Sequence, residues 1–329
     1  MRLKPKGRAK RSTERSWRLL YATDFHAGDV VLRKFLNAVP VYEADVAVIG
    51  GDLTGKRLAP VVEQAGGWRA EVLGREQTAA DEDELTAMVR KIRGLGQYPV
   101  VMTAEEYAEL LGDGDAVARR FEAEALLQVE EWLALAAERL EPLGVPLYVT
   151  GGNDDYFSIE AVLDSASYAI NADGKVLEVA PGVQMISCGY GNPTPWPCPR
   201  DISEEELGDR LEKMASQLSD PGRAIFNLHV PPFGSGLDVC ARLDTSVDPP
   251  RPLVGEEINA GSTAVRAAIE RYQPAIGLHG HIHESGGIVK IGPTVCVNPG
   301  SEYGEGVLRS AVIDFAADGR PSSWQLLSA

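Results

Sequence analysis

Residues 18–26 read Arg-Leu-Leu-Tyr-Ala-Thr-Asp-Phe-His, and residues 45–52 read Asp-Val-Ala-Val-Ile-Gly-Gly-Asp. Each holds a short apolar run without alternation that stops on polar or glycine residues. That is the pattern of a parallel strand covered on both faces. Between the two runs, Val30 to Val39 has helical spacing. Strand, helix, strand is the right-handed crossover unit of an α/β fold. Ordered structure is expected to begin at Trp17.

Working outward, Leu147 to Thr150 is a third strand, followed by Gly151-Gly152-Asn153-Asp154-Asp155. Val183 to Ser187, Ala224 to Leu228 and Ala275 to Leu278 are further strands. Short strands are also expected at Ile288 to Ile291, Thr294 to Val297, Val307 to Phe315 and Trp324 to Leu327. Residues 56–103 break the rhythm and are too long for an ordinary connection. They read as an insertion over one end of the sheet, with a short strand at Trp68 to Leu73 and a helix at Asp81 to Arg93. Its composition leaves a lid and a dimer surface both open. Glu105 to Leu140 is helical with a break at Gly112 to Gly114. Cys240 to Gly261, rich in Pro and Asp, reads as a long surface loop. Ser262 caps a helix that runs to Tyr272.

The chain has 329 residues, 44% hydrophobic and 24% charged, an ordinary globular balance. Its formal net charge of −16 disfavours a broad nucleic-acid surface. No apolar run approaches the roughly 20 residues that cross a bilayer, so no membrane partner is expected. The basic amino end lacks the apolar core of a Sec-type signal. Its first 18 residues carry eight basic side chains and one acidic one. Residues 1–16 read as a flexible basic tail, a solvated leader or an anion-binding arm, ahead of one domain over 17–329. Cys188, Cys198, Cys240 and Cys296 form no CxxC pair, which fits a reducing cytoplasm.

Chemistry-bearing residues fall where the strands stop. Asp24 and His26 follow the first strand, Asp52 the second and Asn153 the third. His229 ends the strand at 224–228, and His281 and His283 follow the one at 275–278. Open α/β sheets bind ligands beyond the carboxyl ends of their strands, so these groups should converge on one crevice. Of five histidines in the chain, four hold these positions. Carboxylates and imidazoles suit divalent Mn, Fe, Co, Ni or Zn. Seven such ligands exceed what one ion needs and suit two ions about 3.5–4 Å apart with one shared carboxylate.

Asp24-Phe25-His26, Gly51-Asp52, Gly152-Asn153-Asp154-Asp155, His229 and Gly280-His281-Ile282-His283 stand in the order of five family blocks. Those blocks are DxH, GD, GNH followed by an acid, a lone His, and GHxH. The chain resembles the calcineurin-like metallophosphoesterase superfamily from about Arg18 to its carboxyl end. The resemblance implies an α/β fold of four layers, an α/β/β/α sandwich of two mixed sheets. It assigns Asp24, His26 and His283 to a first metal and Asn153, His229 and His281 to a second, with Asp52 bridging. It implies that a water between the ions attacks phosphorus in line with the leaving oxygen.

One block departs from the family pattern: the His after the metal-binding Asn is Asp154 here. The family His contacts phosphate and helps protonate the leaving group. Asp154 is therefore either a general acid with a raised pKa, a structural or indirect support, or the mark of an altered substrate or a third cation. His279 reads as a structural neighbour of the ligands, by the spacing of the GHxH block. Asn298, in Asn298-Pro299-Gly300-Ser301, is expected to fix a loop near the site. Gly189 to Asn192 reads as a glycine turn or a pocket wall, and Trp196 as a substrate cover or a core plug.

The function expected is metal-dependent hydrolysis of a phosphodiester or other phosphate ester, with Asp52, Asn153 and Asp154 as catalytic residues. The substrate is a small-molecule phosphate ester, and a homo-oligomer is left open. The alternatives are a phosphomonoesterase acting on nucleotide or protein phosphate, and a catalytically weak scaffold of the same fold.

Overall fold

The computed structural model describes residues 16–247 and 249–329. The basic tail therefore lies, but for Ser16, outside the described residues. The first half of the chain runs β1 (Trp17–Ala22), α1 (Asp29–Val41), β2 (Val46–Ile49), β3 (Leu58–Gln64), β4 (Gly67–Val72) and β5 (Arg75–Ala79). It continues through α2 (Glu82–Gly94), β6 (Tyr98–Met102), α3 (Ala104–Leu111), α4 (Gly114–Leu140), β7 (Leu147–Val149) and α5 (Ile159–Ser165). There follow β8 (Ile170–Asn171), β9 (Val176–Ala180), β10 (Val183–Cys188), α6 (Glu204–Ala215), β11 (Ile225–Leu228), β12 (Val239–Asp244) and β13 (Arg251–Asn259). The chain closes with α7 (Thr263–Tyr272), β14 (Ile276–Leu278), β15 (Gly287–Ile291), β16 (Thr294–Asn298), β17 (Arg309–Phe315) and β18 (Pro321–Ser328).

Two six-stranded sheets dominate, in the orders β18-β17-β1-β2-β7-β8 and β15-β16-β14-β11-β10-β9. Both are mixed. In the first, β1, β2, β7 and β8 are parallel while β17 and β18 each pair antiparallel. In the second, β10, β11, β14 and β16 are parallel between antiparallel edges β9 and β15.

The unalternating apolar runs have a direct cause. Leu20, Ala22, Ala47 and Ile49 pack toward Phe35, Leu36, Trp132 and Leu140 of the helices. The intervening Leu19, Tyr21, Val46 and Val48 pack against Met185, Ile225, Ile276 and Val295 of the second sheet. Ile186, Phe226 and Leu228 then turn their side chains to Leu207, Leu211 and Ile269 of α6 and α7. Each central strand thus contributes to two cores, and every buried Leu, Ile or Phe adds roughly 1.5–3 kcal/mol. The result is an α/β sandwich.

Beside the two large mixed sheets, two smaller ones are present among the described residues. Residues 58–102 form a sheet of their own, in the order β5-β4-β3-β6. It buries Val61, Val72, Met88 and Ile92 in a separate core beneath α2. Its strands β4 and β5 are covered on one face only, and polar residues such as Glu71, Arg75 and Glu76 interrupt their apolar pattern, while Tyr98, Val100 and Met102 of β6 are buried on the other face. Of these strands only β4 is expected from the sequence.

Residues 240–261 are not a loop but chiefly the antiparallel hairpin β12–β13. β13 is largely exposed, Val254 fully so, β12 is half-buried, and no fully buried face imposes alternation on them. The helix ends follow local chemistry. Thr103 and Glu106 form a capping box on α3, and Asp113 caps α4 across the break. Ser262 accepts from the Val265 N–H at the start of α7.

Candidate metal centre

The loops after β1, β2, β7, β11 and β14 meet beyond one end of the paired sheets. Asp24, His26 and His283 offer ligand atoms within 4.8 Å of one another, and so do Asp52, His229 and His281. A third group joins His26, Asp52 and Asp154. Asp24, His26, Asp52, Asn153 and His229 are buried, while His281, His283 and Asp154 reach the surface in part.

The spacing is that of neighbouring ligands. Nε2 of His26 is 3.1 Å from Nε2 of His283 and 3.4 Å from Asp52 Oδ2. His229 Nε2 is 3.3 Å from Asp52 Oδ1, and His283 Nε2 is 3.4 Å from Asp24 Oδ1. His281 Nδ1 lies 3.0 Å from Asn153 Oδ1. Donors about 2.1 Å from a common ion stand roughly 3.0–3.4 Å apart in octahedral or tetrahedral arrangement. His229 Nε2 is buried yet has no hydrogen-bond partner. An orphaned imidazole nitrogen among carboxylates fits a divalent cation.

Neighbouring groups aim the donors. His26 Nδ1 sits 3.1 Å from the Thr54 carbonyl and His229 Nδ1 3.1 Å from the Gly50 carbonyl. A carbonyl only accepts, so each Nδ1 carries a proton; Nε2 of His26 keeps its lone pair for an ion, and Nε2 of His229 offers one once the proton it shares with the carboxylates is displaced. Asn153 donates Nδ2–H to Asp201 Oδ1 at 2.8 Å, which turns its Oδ1 inward. The backbone N–H of His281 donates to Asp24 at 3.0 and 3.1 Å. Asp155 is fully buried and accepts from the N–H groups of Leu53, Thr54 and Gly152, tying the Asp52 turn to the Asn153 turn. Asn298 donates to the Gly280 and Ile282 carbonyls, so it holds the loop bearing His281 and His283, as its sequence position suggests.

The backbone is strained where the ligands sit. Asp24, His26, Asp52 and His281 all have φ between 40° and 65°. Left-handed geometry is uncommon for such residues and concentrates at functional sites. Gly152 is required by close approach, because a Cβ there would lie 2.0 Å from Asp52 Oδ1.

Burial and charge oppose one another in the centre. Burial would raise the Asp24 carboxyl, but the His283 hydrogen bond and the His229 charge outweigh it and hold it at about 2. Burial is the largest cause that holds His281 and His26 at about 4 each. Burial would lower His229 too, yet Asp52 and then Asp24 push it up to about 9.

His279 stays outside all three groups. It is fully buried, with Nδ1 2.8 Å from the Leu228 carbonyl. Trp196 is half-exposed and so is no core plug. Its loop reaches the site through Cys198, whose thiol lies 3.7 Å from Asp154 Oδ1. Sequence reasoning missed Asp201 and the bracing role of Asp155. It also missed Lys56, whose Nζ is 2.9 Å from Asp154 Oδ2. The only signal for Lys56 was its place four residues after Asp52.

No family model matches the chain. It is 32% identical over 176 residues to the uncharacterized protein MJ1162 of Methanocaldococcus jannaschii, an alignment covering 53% of this chain and 70% of that one. A crystal structure of TT1561 of Thermus thermophilus is similar at 13% identity and a TM-score of 0.51, over 96% of this chain and 99% of that one. Another crystal structure, 18% identical, gives a TM-score of 0.55 over 94% of this chain and 98% of that one. At these identities the solved structures speak to the fold. The chain shares the fold of these solved structures, and within it the five blocks that resemble the calcineurin-like metallophosphoesterases assemble His and Asp triads.

Proposed function

We propose that this protein is a metal-dependent phosphoesterase that promotes in-line attack of a water on a phosphodiester or other phosphate ester. The observation that carries the reading is the pair of His and Asp triads meeting at Asp52. Asp24, His26 and His283 would hold one ion and Asn153, His229 and His281 the other, with Asp52 shared. Two such ions, when bound, supply acidity to a water and neutralise charge on phosphoryl oxygens. The protein's part is to fix the ligand atoms, through the Thr54 and Gly50 carbonyls on His26 and His229 and through Asp201 on Asn153. The four-layer order α/β/β/α is the scaffold we assign to it. A cytoplasmic setting is supported by the four unpaired cysteines. Among the described residues no helix is long and apolar enough to cross a membrane.

The deciding experiment strips the protein of metal, restores Mn, Fe, Co, Ni or Zn one at a time, and measures hydrolysis of mixed mono- and diesters. Activity is expected only with a restored ion. Equal rates with chelator and with metal would end the reading.

Proton release gives a second check. At pH 7 His26 and His281 are neutral, while His229, near 9, holds a proton between two carboxylates. An incoming cation must displace that proton. Below pH 9 the apparent metal affinity should fall about tenfold per pH unit for this one proton. Calorimetry in buffers of different ionisation enthalpy should therefore record at least one proton released at pH 7. No release would separate His229 from the ions.

A further inference from the structure

The family block places an imidazole where this chain has Asp154. A carboxylate alone at that point would repel an incoming phosphate. The structure puts a cation beside it. Lys56 Nζ is 2.9 Å from Asp154 Oδ2. The Asp154 N–H in turn donates to Asp52 Oδ1 at 3.1 Å, so the pair hangs directly from the proposed bridging carboxylate. The Asp154 carboxylate groups with His26 and Asp52. Lys56 stands over that face, close enough to bear electrostatically on His26, His283 and Tyr303. About half of its side chain, 53%, remains accessible.

The backbone under Lys56 is built to hold it. The Gly55 N–H donates to Tyr98 Oη at 2.6 Å. A Cβ on Gly55 would lie 2.6 Å from the Gly96 carbonyl oxygen and 2.7 Å from the Ala27 side chain. Gly96 and Tyr98 belong to the segment we read as an insertion, residues 56–103. Its sheet thus braces the residue that precedes Lys56, against the same turn that carries Asp24 and His26. An ammonium has three donors. Asp154 takes one and fixes the head, and with half of the side chain accessible the other two remain available to a ligand.

Resting on the phosphoesterase reading, we infer that Lys56, positioned by Asp154, binds a nonbridging oxygen of the substrate's phosphoryl group. Asp154 is then the positioning residue, and the pair supplies at this point a fixed positive charge in place of the family's imidazole. A cation placed at a phosphoryl oxygen stabilises bound phosphate and the charge that develops in the reaction.

The test uses full-length, metal-loaded protein and inorganic phosphate as the probe. Lys56→Ala should weaken phosphate about tenfold or more, since it removes a charge-assisted hydrogen bond and leaves Asp154 facing the anion. Metal content and melting temperature should stay at the wild-type values. Lys56→Arg should restore most of the affinity. Lys56→Ala combined with Asp154→Ala should bind phosphate better than Lys56→Ala alone, because the repelling carboxylate is gone. Phosphate affinity within twofold of wild type in Lys56→Ala would overturn the inference. So would a parallel loss of metal, or a metal-loaded wild type that does not bind phosphate. A wild type that binds phosphate through Lys56 yet hydrolyses no ester would sink the phosphoesterase reading and leave the Lys56 contact standing.

Discussion

Asp52→Asn should lower turnover by roughly a hundredfold or more and reduce the bound metal below two ions per chain. The two oxygens of Asp52 face different triads. Oδ2 is 3.4 Å from His26 Nε2 and Oδ1 is 3.3 Å from His229 Nε2. Asn keeps the shape and one acceptor oxygen but removes the negative charge and the second acceptor. The fold should persist, because the turn is held through the backbone: the Leu53 N–H donates to Asp155 and the His26 N–H to the Asp52 carbonyl. Elemental analysis and rates at saturating metal check this together. Wild-type values in both would remove Asp52 from the centre.

The second large effect separates two neighbours in sequence. His283→Ala should lower metal affinity at the Asp24–His26 side by roughly a hundredfold and leave stability of the metal-free protein little changed. Its ring is partly exposed and stands 3.1 Å from His26 Nε2 and 3.4 Å from Asp24 Oδ1. His279→Ala should do the reverse. That ring is fully buried and held by the Leu228 carbonyl at 2.8 Å. Its loss leaves a cavity and an unpaired acceptor, a cost of about 2–4 kcal/mol. Metal content should stay near wild type. Metal titration and denaturant unfolding of both variants distinguish the roles. Loss of metal in His279→Ala with retention in His283→Ala would exchange them.

The sequence by itself determined what is local and doubly enforced. β1 and β2 are legible because each face of each strand meets its own core, so Leu19 to Ala22 and Val46 to Ile49 must all be apolar. The breaks after them are legible for the same reason, and they locate Asp24, His26 and Asp52 beyond strand ends. His229, His281 and His283 follow likewise from β11 and β14. Helix boundaries marked by Thr103, Asp113 and Ser262 are set by side chains reaching no further than three residues.

Only the tertiary structure decided the rest. β4 and β5 have one covered face and the hairpin at 239–259 has no fully buried one, so no periodicity announces them, and the short apolar runs of β3 and β6 are interrupted by Pro60 and Pro99. The supports of the centre join residues far apart in the chain: Asp201 to Asn153, Asp155 to Leu53, Lys56 to Asp154. Each is an ordinary polar residue in its own neighbourhood. Its importance exists only once burial has removed water and left one partner within hydrogen-bond reach. What residue 154 faces was likewise outside the reach of the block that contains it, because the neutralising charge comes from another loop, held in place by a sheet whose strands the sequence barely marks.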